Sequence, residues 1–128
     1  MKLHKLANDI CGRDKRWMER QKTSRAKYGV SQRDSWSLDS YIGTVIANGC
    51  IMLRDRQFGY PCELREEILG GTADDALSLW SAILTAIIDG FNVVSDHWSL
   101  CETLDYMEES KVVLAFSLLV EYFPCLWD

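Results

Sequence analysis

The chain has 128 residues, of which 48% are hydrophobic and 26% are charged, and its formal net charge is −5. This length suits one hydrophobic core, and the composition excludes a chain that is disordered throughout. We expect a single domain over residues 1–128, with a basic helical segment over 1–30 and an acidic helical body over 31–128.

The first segment is predicted to be helical and is strongly basic. Residues 1–33 carry ten Lys or Arg and three acidic residues, a formal net charge of +7. Residues 34–128 carry four Lys or Arg and sixteen acidic residues, a formal net charge of −12. Apolar spacing predicts an opening helix over 3–10, which Gly12 interrupts or weakens. A mostly polar helix then follows over 13–27, with Trp17 and Met18 as its apolar anchors, and Gly29 suits its C-cap.

Four basic residues of this segment fall broadly on one side of a helix and are candidate partner-binding residues: Arg13, Arg16, Arg20 and Lys27. Such clusters attract phosphates, and Trp17 and Tyr28 lie among them as aromatic groups that can stack on bases. Two other interpretations stay open. The segment could lie across the acidic body and be partly neutralised there, or it could be a solvated amphipathic helix.

A long second helix is predicted after Gly29. Ser31 and Asp34 have the spacing of a capping box, and an apolar helical pattern follows from Leu38 to Met52. The helix should run into the 54–57 region and end before Gly59-Tyr60-Pro61, because Gly and Pro interrupt helices.

The rest of the chain predicts more helices. A short turn is expected over 62–71, and Thr72 is the expected N-cap of an amphipathic core helix that contains Trp80 and Phe91. One long helix or two consecutive helices should then run to Pro124. Because no βαβ alternation or internal repeat is present, we predict an all-α fold, a compact single-domain bundle of about four to six helices.

From residue 29 to residue 40 the sequence reads Gly-Val-Ser-Gln-Arg-Asp-Ser-Trp-Ser-Leu-Asp-Ser. This resembles a signature of small tailed-bacteriophage proteins of uncharacterised function: Gly, a hydrophobic residue, Ser, then Asp, Trp, Leu and Asp at fixed spacing. Further matching blocks keep the same order and extend the resemblance over most of the chain: Gly59-Tyr60-Pro61, the Trp80 to Phe91 stripe, Glu121-Tyr122-Phe123 and Leu126-Trp127-Asp128. The resemblance implies a phage or prophage origin and no particular reaction. The chain departs from the pattern at Pro124 and Cys125.

Asp34, Trp36 and Asp39 of this signature are the other candidate partner-binding residues. They could form an exposed recognition site. The structural alternative is that Asp34 completes a helix cap, that Trp36 packs against another helix, and that Asp39 pairs with a basic residue of the N-terminal segment.

The sequence predicts no cofactor, metal site or catalytic centre. The five cysteines are scattered and odd in number, no CxxC pair occurs, and the histidines are His4 and His97. Asp96 and His97, with Glu102 and Asp105 nearby, are a weak acid–base or metal candidate. No nucleophile with a positioned base and no phosphate-binding glycine loop is recognisable. We therefore expect a protein that is not an enzyme.

The absence of a signal peptide pattern and of a stretch that is long and apolar enough to span a bilayer predicts a cytosolic protein without membrane contact. Given the phage resemblance, the expected location is the cytoplasm of the infected bacterial host. The leading hypothesis is stoichiometric binding that inhibits a host antiviral defence component such as a CRISPR effector, so the expected partner is a host protein or ribonucleoprotein complex.

Two alternatives remain. The chain could be a nucleic-acid-binding factor in phage replication, packaging or regulation that uses the basic segment. It could also be a phage assembly protein that self-associates through aromatic helices. The oligomeric state is left open by the sequence.

Overall fold

Five α-helices follow one another in the part of the chain that the computed structural model describes, which is residues 15–56, 59–62, 64, 71–97 and 103–126. They are α1 (Lys15–Tyr28), α2 (Gln32–Trp36), α3 (Leu38–Asp55), α4 (Ala73–His97) and α5 (Tyr106–Tyr122), and a short 3-10 helix, Phe123–Cys125, follows α5. These residues contain no β-strand, so the all-α prediction is confirmed. The predicted opening helix over 3–10 and most of the predicted turn over 62–71 lie outside the described residues.

Several helix ends lie where the sequence predicts them. Gly29 has a left-handed backbone with φ of 77°, and its N–H donates to the Arg25 carbonyl oxygen at 2.9 Å, so it ends α1 as a C-cap. At the start of α4, the Thr72 hydroxyl accepts from the Asp75 N–H at 3.3 Å, and the Asp75 carboxylate accepts from the Thr72 N–H at 2.9 Å. This reciprocal box confirms Thr72 as the N-cap.

The predicted second helix is two helices. The chain leaves helical geometry at Ser37, with φ of −134° and ψ of 58°, which separates α2 from α3. The two parts pack in different directions, since α2 contacts α1 whereas α3 packs along α4. A single straight helix could not make both sets of contacts, and the sequence pattern, which continues through Ser37, did not predict the break.

The C-terminal helix has a start that the sequence analysis missed. Asp105 is the N-cap of α5, and its carboxylate accepts from the Glu108 N–H at 2.8 Å. The Glu108 carboxylate accepts from the Asp105 N–H at 3.3 Å. The helix ends at Tyr122, two residues before the predicted stop at Pro124, which lies within the 3-10 helix. Pro124 therefore shapes the turn after the helix, where its fixed φ is tolerated.

The core is built around α4. Both α3 and α5 pack against α4, and in the described residues they have no close backbone contact with each other. Trp80 meets Tyr122 edge to face, with ring centroids 5.7 Å apart, and Phe91 meets Phe116 at 4.9 Å. The largest fully buried side chains are Leu64, Leu84, Ile87 and Phe91. Burial of each such side chain contributes about 1.5–3 kcal/mol, so the predicted role of the Trp80 helix as the core helix is confirmed.

Two glycines allow the helices to approach closely. At Gly43 of α3, an added methyl group would lie 3.1 Å from a Val94 side-chain carbon of α4. At Gly90 of α4, a methyl group would lie 2.2 Å from the Cβ of Ala115 and 2.4 Å from the Lys111 carbonyl oxygen, both in α5. The absence of a side chain at Gly90 therefore sets the distance between α4 and α5.

The segment Ala73–Asp96 of α4 is long and apolar enough to cross a membrane by length and composition. The expectation that no stretch meets this criterion was therefore wrong. Core helices pass the same test, and α4 is the helix against which α3 and α5 both pack.

Candidate functional site

The basic helix α1 contacts the acidic body over a small area. It has no buried residue, its backbone comes close to the short α2 in the described part of the chain, and its Arg25 guanidinium lies 5.4 Å from the ring centroid of Tyr41 in α3. In the described residues it does not lie across α4 or α5, and its ion pair with the acidic body joins Arg25 to Asp34. Direct neutralisation by the body is thus seen at Arg25. Five of the six basic side chains of α1 are exposed, and Arg25 is partly buried.

Three of the four basic candidates, Arg16, Arg20 and Lys27, lie exposed on α1, and Arg13 lies outside the described residues. Within the described ranges, no carboxylate lies at ion-pair distance from these three side chains. The Lys27 ammonium lies 5.1 Å from the ring centroid of Tyr28, a local cation–π contact that leaves its charge in place. The helix therefore presents positive charge to solvent.

One ion pair connects α1 to the signature segment. The Arg25 guanidinium donates to both carboxylate oxygens of Asp34, with Nε 2.9 Å from Oδ2 and a second, shorter contact from Nη2 to Oδ1. The Asp34 side chain is 6% exposed and that of Arg25 is 29% exposed. A two-pronged pair of this kind fixes orientation as well as distance, so it sets the angle at which α1 leaves the body.

The same carboxylate closes the predicted capping box. Oδ2 of Asp34 accepts from the Ser31 N–H at 2.9 Å, and the Ser31 hydroxyl accepts from the Asp34 N–H at 3.2 Å. The prediction that Asp34 completes a helix cap is confirmed. Burial alone would raise the pKa of Asp34, but the hydrogen bonds from Arg25 and Ser31 outweigh it, and the pKa lies below its ordinary value. The hydrogen bond to Asp34 raises the pKa of Arg25.

Two tryptophans form the second connection. Trp17 of α1 stacks on Trp36 of α2, with ring centroids 6.2 Å apart and an angle of 26° between the planes. Trp36 thus packs against another helix, as predicted, yet it remains 57% exposed. We call the group Trp17, Arg25, Ser31, Asp34 and Trp36 the α1 anchor.

The third signature candidate, Asp39, is not part of the α1 anchor. It lies exposed in the first turn of α3. Over the ranges that the structure describes, no Lys or Arg lies at ion-pair distance from it, so the predicted pairing with the basic segment is not found there. The structure brings Asp34 and Trp36 together with α1 and leaves Asp39 on α3.

A small cavity lies beside the α1 anchor, between α2 and α3. Its volume is about 170 Å³, and Arg33, Trp36 and Tyr41 are among the residues that line it. The Tyr41 hydroxyl donates to the Gly29 carbonyl oxygen, and the Arg33 N–H donates to the Gln21 side chain at 3.1 Å. These bonds hold the walls of the cavity to the end of α1.

The described residues offer no recognisable reaction centre. No group of three or more His, Cys, Asp or Glu is placed to hold a metal ion in the described ranges. Burial raises the pKa of the Cys50 thiol to about 11, which keeps it protonated at neutral pH. Asp105 of the weak acid–base candidate is engaged as a helix cap, Asp96 is exposed, and Glu102 lies outside the described residues.

No protein-family model, curated protein or solved structure matches this chain. A function must therefore be inferred from the geometry of α1 and its anchor.

Sequence reasoning missed two features of the surface. It did not identify Arg25 as the partner of Asp34, although the place of Arg25 on the opposite side of the helix from Arg16 and Arg20 was an available clue. It also did not predict that several apolar residues of α5 are exposed: Tyr106, Met107, Val113, Leu114, Phe116 and Val120.

Proposed function

We propose that this protein acts by stoichiometric binding, and that α1 is its contact surface for nucleic acid. A phage origin, which the signature implies, is part of this proposal. The observation that carries it is that Arg16, Arg20 and Lys27 are exposed on one side of α1, with no carboxylate at ion-pair distance in the described ranges. A helix neutralised by its own domain would have little charge left for a ligand.

The charge and length of α1 support nucleic acid as the ligand. The helix carries six Lys or Arg and one Glu over 14 residues, and it spans about 21 Å at about 1.5 Å per residue. Arg25 is engaged with Asp34, and Lys22 lies 3.4 Å from Glu19. Arg16, Arg20 and Lys27 remain on one side of the helix, where they can contact successive phosphates and release counterions.

The proposal is tested by the salt dependence of binding to a short dye-labelled oligonucleotide, followed by fluorescence anisotropy from about 50 mM to about 200 mM salt. The variant is the double charge reversal Arg16→Glu with Arg20→Glu. The matched control is Arg56→Glu with Lys111→Glu, which makes the same change of net charge at exposed positions at the end of α3 and on α5.

Affinity for the oligonucleotide should fall steeply with salt, and the α1 variant should lower the logarithmic salt slope by about two, since each phosphate contact contributes about one. The control should change the slope much less. Equal losses in the two variants would mean that binding follows net charge alone. Either that result or an absence of binding by the unmodified protein would contradict the proposal.

A second candidate is inhibition of a host antiviral defence component, such as a CRISPR effector, by protein contact. The observation that favours a protein partner is the outer face of α5, where Tyr106, Val113 and Val120 recur every seven residues. Ser110 and Ser117 lie between these apolar residues along the helix. Their hydroxyls donate to carbonyl oxygens of the same helix, so this face is largely apolar. Contiguous apolar surface of this kind often marks a protein interface.

This second candidate is tested with the charged variant Val113→Glu plus Val120→Glu. Because these side chains are 60% and 78% exposed, the variant should fold normally. Affinity capture from nuclease-treated host lysate should recover a partner with the unmodified chain and lose it with the variant.

Light scattering identifies the third possibility, phage assembly. A concentration-dependent oligomer that the variant abolishes would show that this face of α5 binds a second copy.

A further inference from the structure

The α1 anchor places a large exposed aromatic side chain next to the basic helix. Trp36 is stacked against Trp17, and more than half of its surface is exposed to solvent. An exposed indole adds little to the stability of a domain, because it is the removal of apolar area from water that stabilises folding. The indole therefore lies exposed against α1, beside Trp17, which follows Arg16 in the sequence.

Trp36 is held in a fixed position. The stack with Trp17 sets the orientation of its ring, and the pair between Arg25 and Asp34 sets the position of α2 relative to α1. Trp36 also lines the cavity of about 170 Å³, together with Arg33 and Tyr41. A preorganised aromatic ring loses little conformational entropy when a planar ligand stacks on it.

Basic side chains lie close in sequence to the stacked tryptophans. Arg16 precedes Trp17 in sequence, and Arg20 lies about one turn further along α1. Proteins that bind single strands combine these two elements: cations follow the phosphates while bases stack on aromatic rings. In a duplex the bases already stack on each other, so an exposed indole on a protein surface has no equivalent access to them.

We propose that Trp36 is a base-stacking residue and that the ligand of α1 is single-stranded nucleic acid. This rests on the proposed function, because α1 must supply the phosphate contacts. Arg16 and Arg20 bind the backbone, and a base stacks on the Trp36 ring at the mouth of the cavity lined by Arg33 and Tyr41. The alternative, that Trp36 makes an apolar contact with a protein, predicts no dependence on bases.

The experiment compares three labelled oligonucleotides at one low salt concentration: a single strand, the same strand with abasic sites, and the corresponding duplex. Dissociation constants are measured by anisotropy for the unmodified protein, Trp36→Ala and Trp36→Phe. The control is Tyr106→Ala, which removes another exposed aromatic side chain, on α5. Thermal unfolding verifies that each variant is folded. The comparison of the three oligonucleotides with the unmodified protein tests the inference even if a variant does not fold.

The unmodified protein should bind the single strand about tenfold or more tightly than the abasic strand, since stacking of one base corresponds to about a fivefold to hundredfold gain in affinity. Trp36→Ala should abolish this difference, Trp36→Phe should retain most of it, and Tyr106→Ala should leave it unchanged. Equal affinity for the intact and abasic strands, or binding of the duplex as tightly as the single strand, would overturn the inference.

The failures of the two proposals are distinguishable. If the abasic strand binds as well as the intact strand, and Arg16→Glu with Arg20→Glu weakens both, then α1 binds phosphates without base stacking, and only the inference about Trp36 fails. If no oligonucleotide binds, both proposals fail, and a protein partner becomes the better explanation of the exposed indole.

Discussion

Asp34 is the residue on which the position of α1 depends. Its carboxylate accepts hydrogen bonds from the Arg25 guanidinium and from the Ser31 N–H, so one buried group connects two helices and caps one of them. Hydrogen bonds to a charged group contribute about 1.5–3 kcal/mol each, more than neutral ones. Asp34, one of the candidate partner-binding residues of the signature, therefore has the structural role that its capping-box spacing indicated.

Asp34→Asn should lower the free energy of unfolding by about 2–4 kcal/mol, because it removes the charge from a buried pair and weakens a cap. Urea denaturation measures this. The matched control is Asp75→Asn, which makes the same chemical change in the exposed Thr72 box and should lower the free energy of unfolding much less. Similar losses in the two variants would show that the pair between Arg25 and Asp34 adds nothing to the cap.

The depressed pKa of Asp34 also predicts how stability depends on pH. The unfolded chain binds a proton at this site more readily than the folded chain, so the contribution is fully present above the unfolded pKa of about 3.9 and is lost as pH falls through the lower folded value. Unfolding free energies measured at several pH values should show the gap between the unmodified protein and Asp34→Asn closing below about pH 4. A gap that stays constant on acidification would contradict the prediction.

The packing of α4 against α5 depends on a glycine at the crossing point. Gly90→Ala places a methyl group 2.2 Å from the Cβ of Ala115, so the helices must separate, and the free energy of unfolding should fall by about 2–4 kcal/mol. Gly49→Ala is the control, because no atom lies within 4 Å of the added methyl and alanine favours a helix over glycine. It should raise stability by about 0.5–1 kcal/mol. Thermal denaturation of the two variants should therefore show shifts of opposite sign.

The elements that the sequence predicted well are those governed by local chemistry. Gly29 and Thr72 end or begin helices through bonds to residues three or four positions away, so their spacing in the sequence was sufficient. The break at Ser37 was not predictable in this way. It arises because α2 is held by α1 while α3 is held by α4, and those contacts join residues far apart in the chain.

The outer face of α5 illustrates the same limit. Apolar residues surround this helix, with Val112 and Ala115 buried and Val113 and Val120 exposed. The spacing of apolar residues identifies the buried side of a helix only when the other side is polar. In α5 both sides carry apolar residues, so the spacing does not identify the buried side. The sequence therefore does not show which apolar residues of α5 face solvent.

At the scale of the whole molecule, the charge division of the sequence becomes a division in space. The basic residues of α1 lie on a helix that contacts α2 and stands apart from α4 and α5, while the acidic residues are spread over the body. The sequence predicted the imbalance, but it could not decide whether the two parts neutralise each other. The answer depends on the direction of α1 relative to the body, and the α1 anchor sets that direction.

The most direct measurement is an NMR titration of the isotope-labelled protein with a short single-stranded oligonucleotide, followed through backbone amide shifts and the indole N–H signals. Shifts concentrated in α1 and at Trp17 and Trp36, with α4 and α5 nearly unchanged, are the expected result. Shifts confined to the outer face of α5 around Val113, or no shifts at any concentration of oligonucleotide, would show that α1 is not the contact surface.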